Sequence, residues 1–177
     1  MLKYCFITDE QTGLVQIGVG CPDEYYIEIG MEQRDVEQSE VDYQWYLTEK
    51  CPHYTEEEKL QIAKENKYSE ALDKAYNFEQ NGSVEYKNCV FEMSLSNRNN
   101  LDNTQEALEK SGQTETTWND KNDELITLTV DDIQYIRLNL ILGRIQQLWI
   151  SDYPSYKQQI EQATTVKEVE AIEIVYE

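Results

Sequence analysis

Hydrophobic positions along this chain change their period several times, and each change predicts an element. Over residues 1–20, Tyr4, Phe6, Leu14, Ile17 and Val19 supply strand residues on either side of turn chemistry at Asp9 to Gly13, which predicts a hairpin. Cys21-Pro22-Asp23 opens a short helix with Pro22 near its first position, and Gly30 ends it. Met31 to Leu47 is mixed, with enough alternation for a short strand over Val41 to Leu47. After the loop Lys50-Cys51-Pro52-His53, Thr55 and Glu58 have capping-box spacing. A helix with a polar, charge-alternating face follows to about Gln80, where Asn81-Gly82 terminates it. Ser83 to Met93 reads as strand with a bend at Lys87-Asn88, and Ser94 to Lys110 reads as a weaker helix ended by Gly112. Two short strands, Glu115 to Trp118 and Leu125 to Leu128, flank the polar loop Asn119 to Asp123, a hairpin signal.

The stretch TVDDIQYIRLNLILGRIQQLWISD, from Thr129 to Asp152, predicts the central helix. Thr129 caps it, and Asp131 and Asp132 sit in its first turn, where exposed N–H groups favour negative charge. At 100° per residue, Leu138, Ile141, Leu142, Ile145, Leu148 and Trp149 fall on one broad arc. Ile133, Ile136, Leu140 and Ile150 fall on a second, with Arg137 and Arg144 between the two. A surface helix needs one apolar stripe, so the second arc predicts a face that packs internally or meets a partner; Ile133, Ile136, Leu140 and Ile150 are its candidate interface residues. Pro154 is expected to stop or kink this helix. A further helix follows over Ser155 to about Ala163. A capping box at Thr165 and Glu168 opens a last short helix, and the chain ends extended or frayed.

These elements predict an α+β fold: a small β-rich unit over residues 1–54, a connecting helix over 55–80, and a C-terminal α+β domain over 81–177 with small antiparallel β elements around the long helix. The 177 residues suffice for one good core or two small ones. With 40% hydrophobic and 11% aromatic residues, global disorder is excluded. Thirteen tyrosines against three phenylalanines suit shallow cores and interfaces, because the ring buries while its tip stays polar. The net charge of −20 leaves no basic footprint for nucleic acid and disfavours anionic membranes, while it suits a basic protein partner. The opening MLKYCFITDE is too polar for a signal peptide, and no apolar run approaches the roughly 20 residues of a membrane span. Cys5, Cys21, Cys51 and Cys89 form no CxxC and read as reduced, mostly buried thiols.

Candidate chemistry is sparse. His53, the single histidine, would have to serve any Ser-His-Asp triad, yet it sits in a loop that reads as solvent-facing. Cys51 and His53 supply two ligands where a structural zinc site needs four. The acid clusters at Glu56 to Glu58 and Asp131-Asp132 open helices, and Asp23-Glu24 follows a Pro-initiated turn. The run DKNDE over residues 120–124 hints at a calcium loop but lacks its central glycine and its glutamate spacing, so a hairpin turn is the reading. No phosphate-binding, dinucleotide-binding or nucleophile-elbow motif is present. Trp118 reads as a core residue packed on the central helix, with a sugar-binding aromatic as the alternative; Tyr25, Tyr26 and Tyr54 are the other aromatics such a role would use. No catalytic, cofactor-binding or metal-ligating residue is assigned.

From Asn81 to Tyr176 the order of features resembles an uncharacterised domain family of tailed bacteriophages and prophages. The matching pieces are the strand VEYKNCVFEMS, the segment Asn97 to Leu101, the Trp118 hairpin with LITLT, the Thr129-to-Trp149 helix and the ending KQQIEQATTVKEVEAIEI, the most specific of them. The resemblance covers a little over half the chain. It implies a setting in the tail-fibre region, a virion or tail-assembly context, and no catalytic motif. The expectation is therefore a tail-associated structural or assembly protein, not an enzyme, that works by protein–protein contact with other tail proteins or with itself as a homo-oligomer. It would reside in the virion tail, or in the host cytoplasm during assembly. The alternative is an acidic inhibitor whose carboxylates imitate the phosphate row of DNA in the basic groove of a host enzyme. The spread of those carboxylates along the whole chain, with lysines and arginines interspersed, weighs against it.

Overall fold

In the computed structural model, which describes residues 1–177, alternation along β1 (Leu2–Asp9) turns Cys5 inward and leaves Phe6 exposed. With β2 (Leu14–Ile17), β3 (Glu32–Gln38) and β4 (Trp45–Leu47) it closes a four-stranded antiparallel barrel in the order β1-β2-β4-β3. Cys5, Val15 and Val36 fill the interior, with Ile17, Trp45 and Leu47 packed against them. The short helix α1 (Asp23–Glu28) sits between β2 and β3, starting after Pro22. Its Tyr26 stacks on Tyr4 at 5.7 Å, and the Tyr26 hydroxyl accepts a 2.7 Å hydrogen bond from the Cys21 N–H. Gly18 permits this approach, since a Cβ there would lie 2.5 Å from the Tyr26 ring.

β3 is the strand that hydrophobic alternation misses. Its sequence EQRDVEQ buries only Val36, because so narrow a barrel needs few inward side chains. The strand expected over Val41 to Leu47 is only Trp45–Leu47; a turn occupies the residues before it, with Tyr43 at φ 58° and the Ser39 N–H donating to the Gln44 carbonyl.

Helix α2 (Glu56–Asn81) opens on the Thr55–Glu58 capping box, with bonds of 2.8 and 3.2 Å, and crosses the boundary between two units, Met1–Ile62 and Ala63–Glu177. In the second unit, β5 (Ser83–Tyr86) and β6 (Cys89–Glu92) pair through a turn in which Lys87 and Asn88 both take positive φ, the geometry of a tight hairpin. Helix α3 (Leu95–Ser111) is capped by Ser94 and ended by Gly112. β7 (Glu115–Asn119) and β8 (Leu125–Thr129) form the second hairpin. Their inward residues and the following helix enclose Phe91, Met93, Leu101, Leu108, Leu128, Ile133, Ile136 and Ile141, with Trp118 packed against that core. The protein is thus α+β, and no helix is long and apolar enough to cross a membrane.

From Val130 to Gln162 the chain stays helical, but not uniformly α. Helix α4 (Val130–Tyr135) passes into a π-helical segment, Ile136–Ile141; α5 (Leu142–Gln147) passes into a second, Leu148–Asp152; and α6 (Tyr153–Gln162) completes the run. An i→i+5 turn holds about one residue more than an α turn and so rotates everything after it by about 100°. Applied at the first π segment, that rotation brings Ile136, Ile141, Ile145 and Leu148 within about 60° of Ile133. The two arcs read at constant pitch are therefore largely one face. The expected interface is corrected accordingly: Ile133 and Ile136 are fully buried, Leu140 packs against the same core, and only Ile150, 68% exposed, reaches solvent. Pro154 does not stop the helix. The π segment directly before it widens the turn that the proline ring would otherwise crowd.

A smaller core closes the second unit. Ala71 of α2, Ile160 of α6 and Ile174 of the C-terminal stretch are buried among Tyr68, Tyr153, Tyr156 and Tyr176. Beyond α7 (Val166–Glu170), which opens on the Thr165–Glu168 capping box, the chain is extended, and side chains satisfy its backbone. The Tyr156 hydroxyl donates to the Val175 carbonyl and accepts from the Val175 N–H, Lys74 donates to the Ile174 carbonyl, and the Tyr176 hydroxyl donates to the Ala71 carbonyl.

The corrected helix phase gives an expected outcome. Ile136→Ala should cost about 2–5 kcal/mol in urea denaturation. Ile150→Ala should stay within about 0.5 kcal/mol. Equal costs at the two positions would contradict the shifted face.

Candidate functional site

Three places in the structure gather polar side chains. The first is a cleft in the N-terminal unit lined by Glu37, Ser39, Glu40, Cys51, His53, Tyr54 and Lys59. It brings together the two residues singled out in the sequence, Cys51 and His53, but not as a reactive pair. Burial pushes the Cys51 thiol up, and the charges of Glu37 and Asp42 push it the same way, so it stays neutral near pH 7. His53 is exposed. Lys59 is occupied by Glu40 at 2.5 Å and Glu56 at 3.0 Å.

The second is the junction of the two hairpins of the C-terminal unit. The ligand atoms of Cys89, Asp120 and Glu124 lie within 4.8 Å of one another, the spacing of a possible metal site. The Asp120 carboxylate, however, already serves the fold. It accepts backbone N–H bonds from Val90 at 2.9 Å, Asn122 at 2.7 Å and Glu124 at 2.8 Å. The Val90 bond foremost, and the other two against the opposing effect of burial, hold its carboxyl below the usual range. Burial raises the Cys89 thiol, with Asp120 and Glu124 adding to the shift, so it offers a neutral sulfur. Asp120 thus pins the loop read as DKNDE onto β6, as the hairpin reading requires.

The third is Asp132, nine-tenths buried at the start of the central helix. It closes a capping box with Thr129, through bonds of 3.0 and 3.1 Å. The same carboxylate accepts hydrogen bonds from the Tyr86 hydroxyl and from the Lys87 ammonium, the latter at 2.9 Å, while Tyr86 packs on Tyr135 at 5.6 Å. One side chain therefore ties the β5–β6 turn to the β8–α4 junction. Burial alone would push the Asp132 carboxyl up; the hydrogen bonds from Tyr86, Thr129 and Lys87 together outweigh it and hold it well below the usual carboxylate range.

Other sequence candidates disperse. Of the tyrosines weighed for sugar contact, Tyr26 is buried under its hydrogen bond, Tyr25 is exposed on α1, and Tyr54 lines the cleft. All four cysteines are free, and Cys21 alone among them is exposed. Arg137, which lies between the two arcs, pairs with Asp102 and donates to Gln105 on α3. Arg144 pairs with Asp152 at 2.7 Å, donates to the Glu177 carbonyl and lies over the Phe78 ring at 4.7 Å.

What no motif announces is the exposed apolar surface of the N-terminal unit. Phe6 lies on the outer face of β1, beside Gly30, while Tyr25, Ile27 and Ile29 are exposed on and just after α1. Asp23, Glu24 and Glu28 are exposed among them. The signal was present as the apolar residues of the run DEYYIEI, but a single strong inward anchor, Tyr26, decides which neighbours are left outside.

Comparison with family models, with curated proteins and with solved structures finds no match for this chain.

The Asp132 junction sets a pH dependence. Its folded pKa lies below its unfolded value of about 3.9. The stabilisation is therefore present above that value and lost as pH falls through the folded one. Asp132→Asn should lower stability at pH 7 and flatten the loss of stability between about pH 5 and 2, read from urea midpoints across that range. An unchanged slope in the variant would remove Asp132 as its source.

Proposed function

We infer that this protein works by protein–protein contact, as a structural or assembly component associated with a bacteriophage tail, and that it carries out no reaction of its own. The observation that supports this most is the outer face of the N-terminal unit, where Phe6, Tyr25, Ile27 and Ile29 stand in solvent among carboxylates. Large apolar side chains grouped on a surface mark contact sites, and the acidic surroundings favour a partner surface that carries lysine or arginine around an apolar centre. The tail context rests on the motif order from residue 81 to 176.

In gradient-purified phage particles and tail intermediates, mass spectrometry should find the chain co-sedimenting with tail components. An Ile27→Asp/Ile29→Asp variant, with unchanged circular dichroism, should be depleted from those fractions. A wild-type chain absent from both particles and intermediates would overturn the reading. Its recovery instead on a basic host enzyme, with salt-sensitive binding, would point to the acidic-inhibitor alternative.

A further inference from the structure

The flank of the central helix that faces away from the core is unlike the rest of this chain. The run from Ile133 to Ser151 contains no aspartate or glutamate, in a protein with 35 acidic side chains and a net charge of −20. Its two cations are already engaged inside the fold: Arg137 with Asp102 and Gln105, Arg144 with Asp152 and the Glu177 carbonyl. The carboxylates that reach the flank from neighbouring elements are paired as well, Asp102 with Arg137 and Glu79 with the Trp149 indole N–H at 2.8 Å, so the flank is a band with little net charge. On it Leu138 is 46% and Leu142 is 42% exposed, four residues apart and so neighbours on the helix surface. Two turns beyond Leu142 lies Trp149, half-buried, with the exposed Tyr76 ring 5.0 Å from it. The amides of Asn139 and Gln146 border the band and are exposed.

Gly143 supplies an independent sign. A Cβ built there would meet only the Leu138 carbonyl oxygen of its own helix, at 4.0 Å. Its φ is not in the left-handed region, so neither backbone geometry nor packing in this fold requires a glycine. A mid-helix glycine costs helix stability relative to alanine, and its use is to let another backbone come close.

We propose that the Leu138–Leu142 flank, with Gly143 beside it, packs against the same flank of a second copy of this chain. The charge distribution selects that occupant. A two-fold contact places identical surfaces against each other. Made elsewhere on this chain, it would set carboxylate against carboxylate; made here, it joins two neutral, apolar surfaces. A basic partner would be drawn to the acidic surfaces and not to this band. The inference rests on the protein-contact reading above and names one of its contacts, on the second unit, whereas that reading is carried by residues of the first.

Sedimentation equilibrium of the full chain, over a range of concentrations and at low and high salt, tests it. The wild type, 20.8 kDa as a monomer, should show a monomer–dimer equilibrium insensitive to salt. Leu138→Glu/Leu142→Glu should sediment as monomer where the wild type is dimeric. Gly143→Leu should raise the melting midpoint measured on the monomer yet weaken association at least about tenfold, a combination that a purely structural glycine would not produce. Ile27→Asp/Ile29→Asp should remain dimeric, which separates this contact from the tail-binding face. A wild type that stays monomeric at every concentration, or variants that dimerise unchanged, would overturn the proposal while leaving co-sedimentation with tails to be judged separately.

Discussion

One extra residue in a helical turn governs what the C-terminal unit can bury. The core needs Ile133, Ile136, Ile141 and Leu148 on the same side of a single helix, and the step from Ile136 to Ile141 is five residues. An α-helix would put those two on different faces. The π segment Ile136–Ile141 takes up the difference, so the helix offers one continuous surface to the two hairpins and to α3. Leu138 and Leu142 lie off that surface and are exposed.

Two buried carboxylates then fix what surrounds that helix. Asp120 gathers three backbone N–H groups from its own loop and from β6; Asp132 gathers a cap, a tyrosine and a lysine. Each hairpin is only two strands wide and would be marginal alone. Charge-assisted hydrogen bonds in a water-poor setting join them without a wider sheet. Tyrosine does comparable work in the smaller core, where hydroxyls reach the extended C-terminal backbone while the rings fill space. A chain with thirteen tyrosines can build such shallow cores, because each ring brings its own hydrogen-bonding group to the boundary with water.

Acidity shapes how this protein can meet others. With a net charge of −20, most approaches of like to like are repelled, and two groups of exposed apolar side chains lie in distinct settings. On the N-terminal unit they stand among carboxylates; on the central helix they stand in a band whose carboxylates, Asp102 and Glu79, are paired with Arg137 and Trp149. The first setting is the one proposed to meet a partner of opposite charge, the second the one proposed to meet a copy of the same chain. Both proposed contacts would draw on burial of apolar surface, with charge selecting the partner at each face.

Local chemistry was legible in the sequence wherever it acts over three or four residues. The capping boxes at Thr55, Thr129 and Thr165, the stops at Asn81-Gly82 and Gly112, the turn at Asn119 to Asp123 and the α+β class follow from side chains that bond to their own backbone, whereas Lys87-Asn88, read as a bend within one strand, is a hairpin turn between two. Trp118 was legible as a core residue. Three things were decided only by tertiary structure. β3 carries no alternation, because a narrow barrel asks it for a single inward residue. The π segments leave no mark in composition, because a helix changes pitch when neighbours on both sides demand particular side chains, as the hairpins demand Ile136 and Ile141. The candidate contact faces followed from those decisions: Ile133 and Ile136 went inward, Leu138 and Leu142 outward, and Tyr26 in place of Tyr25 became the anchor of α1. Sequence sets which residues are apolar and where helices and turns begin; which of those apolar residues meets water depends on the pitch and packing of the finished fold.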